Sequence, residues 1–267
     1  MAADLPGFSS FDFAQGGITH TVYSQGEGPS VLIMHELPGL SPAAVHFGGR
    51  LVKEGFQVHL PLLFGTPMQR DARGAYKQLC VSQEFARLQA GVSAPITDWL
   101  RALARELSRR SGRPVGAIGM CLTGAFAIPL ILEPTVGAHV AAQPGCPFSL
   151  AYRITGLGRG PWMSQLNISD DDLNLAATRA AASGLTLLAL RFDTDRICPR
   201  ERMVRLQHVF GAQLELHELK DTNVWRTLTS PPHATLTEEY DKAPERPDEP
   251  TRQAFAHLLE FLHARLT

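Results

Sequence analysis

Short apolar runs rich in β-forming residues alternate with amphipathic helical patterns along most of this 267-residue chain. A chain that alternates strands with helices usually builds a mostly parallel sheet, because each helix crosses over a face of the sheet before the next strand begins. The sequence therefore predicts an α/β fold with helices on both faces of the sheet. The predicted strands are Ile18–Ser24, Val31–His35, Gln57–Leu60, Val115–Gly119, Ala138–Ala142, Leu185–Phe192 and Gln213–Leu216.

Capping residues and apolar periodicity locate several helices between these strands. Ser41-Pro42 is typical of an N-cap followed by proline at the first helical position, and it predicts a helix that runs to about Glu54. Apolar residues at helical spacing predict helices over 96–107 and 255–266. Ser169, followed by three aspartates, predicts a further helix start.

Length and composition favour one globular domain over residues 1–267. Hydrophobic residues make up 44% of the chain and charged residues 19%, which is typical of a folded enzyme. Three segments, near 64–94, 143–168 and 219–250, interrupt the alternation of strands and helices. Loops at the carboxyl ends of strands build the ligand site in open α/β sheets, so we expect these insertions around a pocket.

Charge, hydropathy and cysteine usage exclude several classes of protein. The net charge is −1 and no long basic run is present, which excludes nucleic acid as an expected partner. No apolar run approaches the roughly 18 residues of a membrane span, and the N-terminus lacks a signal-peptide pattern. The four cysteines show no metal-binding spacing. These features predict a cytoplasmic protein without metal or cofactor, as a monomer or weak homo-oligomer.

The strongest local motif surrounds Cys121. An apolar run ends in Gly119-Met120-Cys121-Leu122-Thr123-Gly124 and leads into Ala125–Leu132, which predicts a buried strand, a tight turn and a helix. A nucleophile elbow has this layout, with small neighbours that allow the turn to pack closely. A helix N-terminus would stabilise a thiolate at Cys121. The alternative is a small apolar cysteine buried in the core.

A nucleophile needs a base, and the base needs an orienting acid. In the chain order of α/β-hydrolases the acid comes next and the histidine last. Asp193 and Asp195 follow the predicted strand Leu185–Phe192, and the spacing allows either to act as the acid. His233 is the one histidine in segment 219–250, so it is the candidate base.

Glu36 directly follows the predicted strand Val31–His35, at the edge of the sheet where the Cys121 turn is also expected. Its carboxylate could approach the Cys121 sulfur and accept its proton. A surface carboxylate at a strand end is the alternative. The backbone N–H groups of Leu37 and Leu122 are the candidate pair for an oxyanion hole.

The chain resembles the dienelactone hydrolase family, whose members are cysteine-dependent enzymes of the α/β-hydrolase fold. The resemblance covers roughly residues 15–265 and rests on four motifs in order: His35-Glu36, Gly119–Leu122, Asp195–Pro199 and His233. It implies a triad of Cys121, His233 and Asp195, and it selects Asp195 over Asp193. It also implies that Glu36 engages the thiol and helps to form the thiolate.

Two positions depart from the pattern of that family. The resemblance implies arginines that hold a substrate carboxylate, one after the strand that begins near Gln57 and one four residues after the histidine. This chain has Phe64-Gly65-Thr66 and Thr237 at those places. Arg70, Arg73 and Arg87 are the candidates to replace the two arginines in substrate binding.

Together these features predict a hydrolase of small carboxylic esters or lactones, of the carboxymethylenebutenolidase type, that works through a thiol-ester intermediate. The partner is a small-molecule substrate. One alternative is an acyltransferase or thioesterase-like enzyme that uses the same triad with another acceptor. The other is a non-catalytic binding protein that keeps the fold, because fold alone does not fix function.

Overall fold

The computed structural model describes residues 5–81, 85, 95–146, 159–221 and 229–267. Its centre is an eight-stranded sheet with strand order β1-β2-β4-β3-β5-β6-β7-β8. The strands are β1 (Ser9–Gln15), β2 (Ile18–Gln25), β3 (Ser30–Met34), β4 (Gln57–Pro61), β5 (Val115–Met120), β6 (Val136–Ala142), β7 (Leu187–Phe192) and β8 (Leu214–Leu219).

Strands β3 to β8 are parallel, and the antiparallel hairpin of β1 and β2 extends the sheet at one edge. All seven predicted strands are present, and the predicted α/β fold is confirmed. Strand β1 was not predicted, because most of its residues are exposed and its sequence has no apolar run. Gly16 and Gly17 connect it to β2 with φ angles of 58° and 81°, the two positive values that a tight hairpin turn requires.

Helices cover both faces of this sheet. They are α1 (Pro42–Lys53), α2 (Ala72–Val81), α3 (Ile96–Ser111), α4 (Arg159–Ser164), α5 (Asp170–Ser183), α6 (Arg200–Phe210), α7 (Glu238–Lys242) and α8 (Pro250–Leu266). The predicted caps are confirmed. The Ser41 hydroxyl accepts a hydrogen bond from the backbone N–H of Ala44 at 3.3 Å, and Ser169 accepts one from Asp172 at 3.0 Å.

The segment after Cys121 differs from the predicted helix. It forms two 3₁₀ helices, Cys121–Ala127 and Pro129–Leu132, instead of one continuous α-helix. Pro129 has no N–H to donate and interrupts the hydrogen-bond ladder. Gly124 also packs tightly: a Cβ at this position would lie 2.6 Å from the Cα of Pro144. The tighter 3₁₀ geometry is used in such short pieces.

The three inserted segments contain short helices. Helix α2 lies within 64–94, α4 within 143–168, and α7 within 219–250. Residues 82–84, 86–94, 147–158 and 222–228 of these segments lie outside the described part of the chain. The insertions therefore extend the helical layers as well as connecting the strands.

The core divides into layers on the two faces of the sheet. One layer packs α1 and α8 against the sheet and includes Phe47, Leu258 and Leu262. On the other face, α3 packs through Trp99, and a separate cluster brings α5 and α6 together. No helix in the described ranges is long and apolar enough to span a bilayer.

Burial predicts which leucines stabilise the fold. Replacing fully buried Leu262 by alanine should lower the free energy of unfolding by about 2–5 kcal/mol, because it removes apolar contacts and leaves a cavity. Leu175 is 55% exposed on α5, so the same substitution there should change stability by less than about 0.5 kcal/mol. Urea unfolding of both variants measures the difference, and equal losses would contradict this assignment of the core.

Candidate active site

Four neighbouring parallel strands, β3, β5, β6 and β7, end at the same edge of the sheet. The residues that follow them are polar or reactive: Glu36, Cys121, Gln143 and Asp195. The carboxyl edge of a parallel sheet is where α/β proteins bind ligands. The topology therefore gathers side chains that are far apart in the sequence.

Cys121 sits on a sharp turn directly after β5. Its φ angle is 52°, in the left-handed region that residues other than glycine rarely adopt. Gly119 is required for this turn, because a Cβ there would lie 2.3 Å from the carbonyl oxygen of Thr123. The turn has the strained geometry of a nucleophile elbow and leaves the thiol partly exposed.

Thr123 stands where a second glycine of the elbow is usual, and its hydroxyl fastens the turn. It accepts a hydrogen bond from the backbone N–H of Met120 at 3.1 Å. It also lies 2.8 Å from the carbonyl oxygen of Met34 and 3.2 Å from that of His35. Thr123 therefore joins the Cys121 turn to the end of β3, where Glu36 begins the next loop.

Partly buried His233 and buried Asp195 form a hydrogen-bonded pair. Nδ1 of His233 lies 2.7 Å from Oδ2 of Asp195. The other carboxylate oxygen, Oδ1, accepts hydrogen bonds from the backbone N–H groups of Ile197 and Cys198 at 2.8 and 3.0 Å. Both oxygens of Asp195 therefore have donors, and the carboxylate is held in one orientation toward the imidazole.

Asp193 lies in a different environment. Its Oδ2 is 3.4 Å from Nζ of Lys220, and its Oδ1 accepts the backbone N–H of Asp221 at 3.0 Å. The sequence spacing left Asp193 and Asp195 open, whereas the structure places only Asp195 against His233. Asp193 instead fastens the loop after β7 to the end of β8.

The protonation of His233 depends on its two neighbours. Burial lowers the pKa of its imidazole, but the charges of Cys121 and Asp195 and the hydrogen bond to Asp195 outweigh burial and hold that pKa well above the ordinary value. Nε2 is buried and makes no hydrogen bond of standard geometry within the described residues, yet Cys121 is close enough to interact with the ring. The geometry favours a proton on His233 when the Cys121 sulfur is negative.

Glu36 is buried, and its carboxylate faces a cluster of hydrogen-bond donors. The Thr237 hydroxyl donates to Oε1, and the Gln143 side-chain amide donates to Oε2 at 3.3 Å. Burial raises the pKa of Glu36, and these two hydrogen bonds oppose the rise. That Glu36 approaches the Cys121 sulfur stays a prediction; its described hydrogen bonds come from Thr237 and Gln143.

The structure describes four of the five remaining predicted residues. Leu37 follows Glu36 on the loop after β3, and Leu122 follows Cys121 in the 3₁₀ helix after the neighbouring strand β5. Arg70 is 66% exposed, with Nη1 4.0 Å from Oε1 of Glu238, the residue after Thr237. Arg73 is exposed on α2, and Arg87 lies outside the described residues. No group of three or more metal-ligating side chains occurs among the described residues.

Two buried arginines that the sequence did not single out hold the loops of the site. Arg191, in β7, donates to the backbone carbonyls of Cys198 at 2.9 Å and Asp195 at 3.4 Å, and it pairs with Glu218. Arg202, in α6, donates to four backbone carbonyls, those of Pro144, Trp162, Gln165 and Ile197. Sequence alone cannot find them, because arginine in a strand or helix is usually exposed.

Asn167 and Gln143 are further buried polar residues that were not predicted. The Asn167 amide donates to the carbonyls of Leu122 at 3.2 Å and Gly145 at 2.9 Å, which fixes the first residues of the elbow. Gln143 directly follows the apolar strand β6, the same position relative to a strand that drew attention to Glu36. That placement was the available indication, but an amide has no acid–base chemistry to suggest a role.

The family follows from comparison with known proteins. The model of the dienelactone hydrolase family matches residues 17–220, which include Glu36, Cys121 and Asp195. The chain belongs to the dienelactone hydrolase family. His233 lies beyond the matched range, so its assignment rests on the hydrogen bond to Asp195.

Solved structures agree with this family at the level of the fold. This chain is similar to a dienelactone hydrolase-like promiscuous phosphotriesterase from metagenomic libraries, at 15% identity and a TM-score of 0.63 over 97% of this chain and 98% of that one. It is also similar to a cold-adapted esterase from an Arctic intertidal metagenomic library, at 14% identity and a TM-score of 0.59 over 99% and 97%. A thioesterase domain from the curacin biosynthetic pathway aligns at 11% identity and a TM-score of 0.58, over 95% of this chain and 99% of that one. The search of curated proteins gives no match.

His35 predicts a pH dependence of stability in this family member. The His35 Nε2 accepts the backbone N–H of Leu63 at 3.0 Å, so the ring is neutral, and burial lowers its pKa to about 4. The unfolded chain binds a proton at His35 below its ordinary pKa of 6.5, whereas the folded chain does not until about 4. His35 therefore makes the folded state less stable as the pH falls through this window, and its contribution is about 2 kcal/mol between pH 7 and pH 5.

Urea unfolding at pH 7 and pH 5, of wild type and His35→Gln, measures this contribution. The variant should be less stable at pH 7, because its amide replaces the imidazole imperfectly, but it should lose about 2 kcal/mol less on acidification. An identical loss in both proteins would show that His35 is not the group that titrates.

Proposed function

We propose that this protein hydrolyses small carboxylic esters or lactones, with Cys121 as nucleophile, His233 as base and acid, and Asp195 as the residue that orients His233. The observation that carries the proposal is the arrangement of the elbow: Cys121 is held at a φ of 52° beside a histidine whose Nδ1 is 2.7 Å from a fixed aspartate. A strained non-glycine turn persists where function requires it.

The first half-reaction forms a thiol ester. The Cys121 sulfur, its proton held by His233, attacks the ester carbonyl carbon, and the oxygen becomes negative. The backbone N–H groups of Leu37 and Leu122 are proposed to stabilise that oxyanion. The tetrahedral intermediate collapses, the carbon–oxygen bond breaks, and His233 gives its proton to the departing alcohol. With a lactone the alcohol stays tethered to the acyl group.

The second half-reaction releases the acid. His233, now neutral, takes a proton from a water molecule, and the resulting hydroxide attacks the thiol-ester carbon. The carbon–sulfur bond breaks, and Cys121 returns to the thiolate paired with protonated His233. Asp195 keeps the imidazole in one orientation throughout, because its two oxygens are taken by His233 and by backbone N–H groups.

Substrate recognition in this proposal does not use the arginines of the family pattern. Thr237 stands at one of those positions. Its side chain carries no charge, and its hydroxyl donates to Glu36. Arg70, the substitute suggested by the sequence, is 66% exposed and lies beside Glu238, so its charge faces an acid and solvent instead of a substrate carboxylate. We therefore propose that esters with an uncharged acyl group are accepted.

Hydrolysis of a p-nitrophenyl ester series by wild type and Cys121→Ala tests the nucleophile. The variant should lose at least about 1,000-fold in kcat, because no thiol ester can form. Iodoacetamide should label Cys121 faster than Cys146 or Cys198, since burial raises the pKa of those thiols to about 11 and about 12.

Other outcomes of this experiment separate the alternatives. Equal turnover by both proteins would contradict the triad. Rapid acylation of Cys121 with slow release, accelerated by an added thiol or alcohol, would indicate an acyltransferase or thioesterase-like enzyme. No turnover together with a Cys121 no more reactive than the buried cysteines would indicate a binding protein.

We propose that the Glu36 carboxylate helps to form the Cys121 thiolate, as the family resemblance implies, and Glu36→Gln tests this role. The substitution keeps the shape of the side chain but replaces one hydrogen-bond acceptor by a donor, which faces either Thr237 or Gln143. We expect acylation to fall by about 100-fold and the free energy of unfolding by about 1 kcal/mol. Burst kinetics with a p-nitrophenyl ester measure the acylation step directly.

Glu133→Gln is the matched control, since Glu133 is also buried but pairs with Arg105 at the amino end of β6, away from Cys121. This variant should acylate at the wild-type rate. A folded Glu36→Gln protein with normal acylation would remove Glu36 from the mechanism.

A further inference from the structure

Three buried polar side chains connect Glu36 to the loop that carries His233. The Thr235 hydroxyl donates to Oε1 of Gln143, the Gln143 amide donates to Oε2 of Glu36, and the Thr237 hydroxyl donates to Oε1 of Glu36. Thr235 and Thr237 follow His233 by two and four residues. We call Glu36, Gln143, Thr235 and Thr237 the polar bridge.

The hydrogen bonds of the polar bridge have a direction. A hydroxyl has one proton, so when Thr235 donates to the Gln143 carbonyl, the amide end of Gln143 must face Glu36. With the opposite orientation of the amide, the Gln143 oxygen would lie against the Glu36 carboxylate and repel it. The arrangement therefore presents donors to both oxygens of Glu36 and keeps its carboxylate as an acceptor.

The backbone holds Gln143 in this place. The residue is fully buried, and its φ of 36° lies in the left-handed region. Its backbone N–H donates to the carbonyl of Leu190 in the neighbouring strand β7 at 2.6 Å. A glutamine rarely adopts this conformation, and strain of this kind persists when the surroundings fix the residue for a purpose.

We propose that Gln143 is a positioning residue of the proposed reaction: its one side-chain amide fixes Glu36 as a hydrogen-bond acceptor and anchors the His233 loop through Thr235. The inference rests on the proposed function for its effect on turnover. The expected effect of Gln143 on the reactivity of the Cys121 thiol does not depend on that function, because Glu36 and His233 interact electrostatically whether or not an ester is present.

The charged groups around Glu36 come from several elements. His233 favours its ionised form, Glu238 at the start of α7 disfavours it, and Gln143 and Thr237 favour it by hydrogen bonding. His35 precedes Glu36 and is neutral above about pH 4. Removing the Gln143 donor should therefore raise the pKa of Glu36, and the protonated carboxyl should change the field at His233 and Cys121.

Gln143→Glu is the sharpest test, since it keeps the size of the side chain and sets a second carboxyl against Glu36. Two carboxyls at hydrogen-bond distance share one proton to a higher pH than either alone. We expect the acidic limb of the pH profile for Cys121 alkylation by iodoacetamide to move up by about one pH unit or more. The acylation rate at pH 7 should fall with little change in KM.

Gln57→Glu is the matched control. Gln57 begins β4 at the opposite edge of the sheet, where its Oε1 accepts a hydrogen bond from Ser30 at 3.3 Å. The same chemical change there should leave the alkylation profile as in wild type. Thr235→Val and Thr235→Ser form a second pair, because only serine keeps the hydroxyl that orients Gln143.

The Thr235 pair decides the question if Gln143→Glu does not fold. Thr235→Val should shift the alkylation profile in the same direction as Gln143→Glu by a smaller amount, and Thr235→Ser should restore the wild-type profile. Folded Gln143→Glu with an unchanged alkylation profile, or Thr235→Val and Thr235→Ser that behave alike, would overturn the proposal.

The two readouts also separate this inference from the proposed function. Alkylation of Cys121 requires no ester. A shifted alkylation profile in a protein that hydrolyses no ester would support the positioning role and count against the hydrolase. Ester turnover that depends on Cys121 but is unchanged by Gln143→Glu would support the hydrolase and overturn the positioning role.

Discussion

The sharp turn at Cys121 is the constraint around which this edge of the structure is built. A φ of 52° at a cysteine costs about 1–3 kcal/mol, so the surrounding packing must hold it. Small residues make that packing possible. Gly119 leaves room for the Thr123 carbonyl, Gly124 lies against Pro144, and a Cβ at Gly145 would approach the Cys121 sulfur to 3.3 Å. The strain is tolerated because three strand ends pack tightly around one turn.

Two buried arginines, Arg191 and Arg202, hold the loops of the site and make no described hydrogen bond to the carboxylate of Asp195. Arg202 donates to four backbone carbonyls, and Arg191 reaches the carbonyl of Asp195 instead of its carboxylate. A guanidinium on that carboxylate would displace the imidazole, because arginine forms the stronger pair with an acid. The two oxygens of Asp195 therefore stay available to His233 and to backbone N–H groups.

Strands and helices were predictable where a short stretch of sequence determines them. Apolar runs located the seven strands with shifts of one to three residues, since a parallel strand is buried on both faces. Strand β1 was missed because an exposed edge strand has no such run. The helix expected after Cys121 became two 3₁₀ segments, because Pro129 interrupts the ladder.

The residue types of the site and their order along the chain came from the sequence by itself. A reactive or acidic residue directly after a buried strand must lie at the carboxyl edge of the sheet, which placed Glu36, Cys121 and one of two aspartates together. Spacing left two aspartates open and the family resemblance selected Asp195, whose hydrogen bond to His233 the tertiary structure shows. Tertiary structure alone assembled Gln143, Thr235 and Thr237 around Glu36. The reason is that a strand fixes where its end lies, whereas contacts between loop side chains depend on loops that are distant in sequence and meet only in the folded chain.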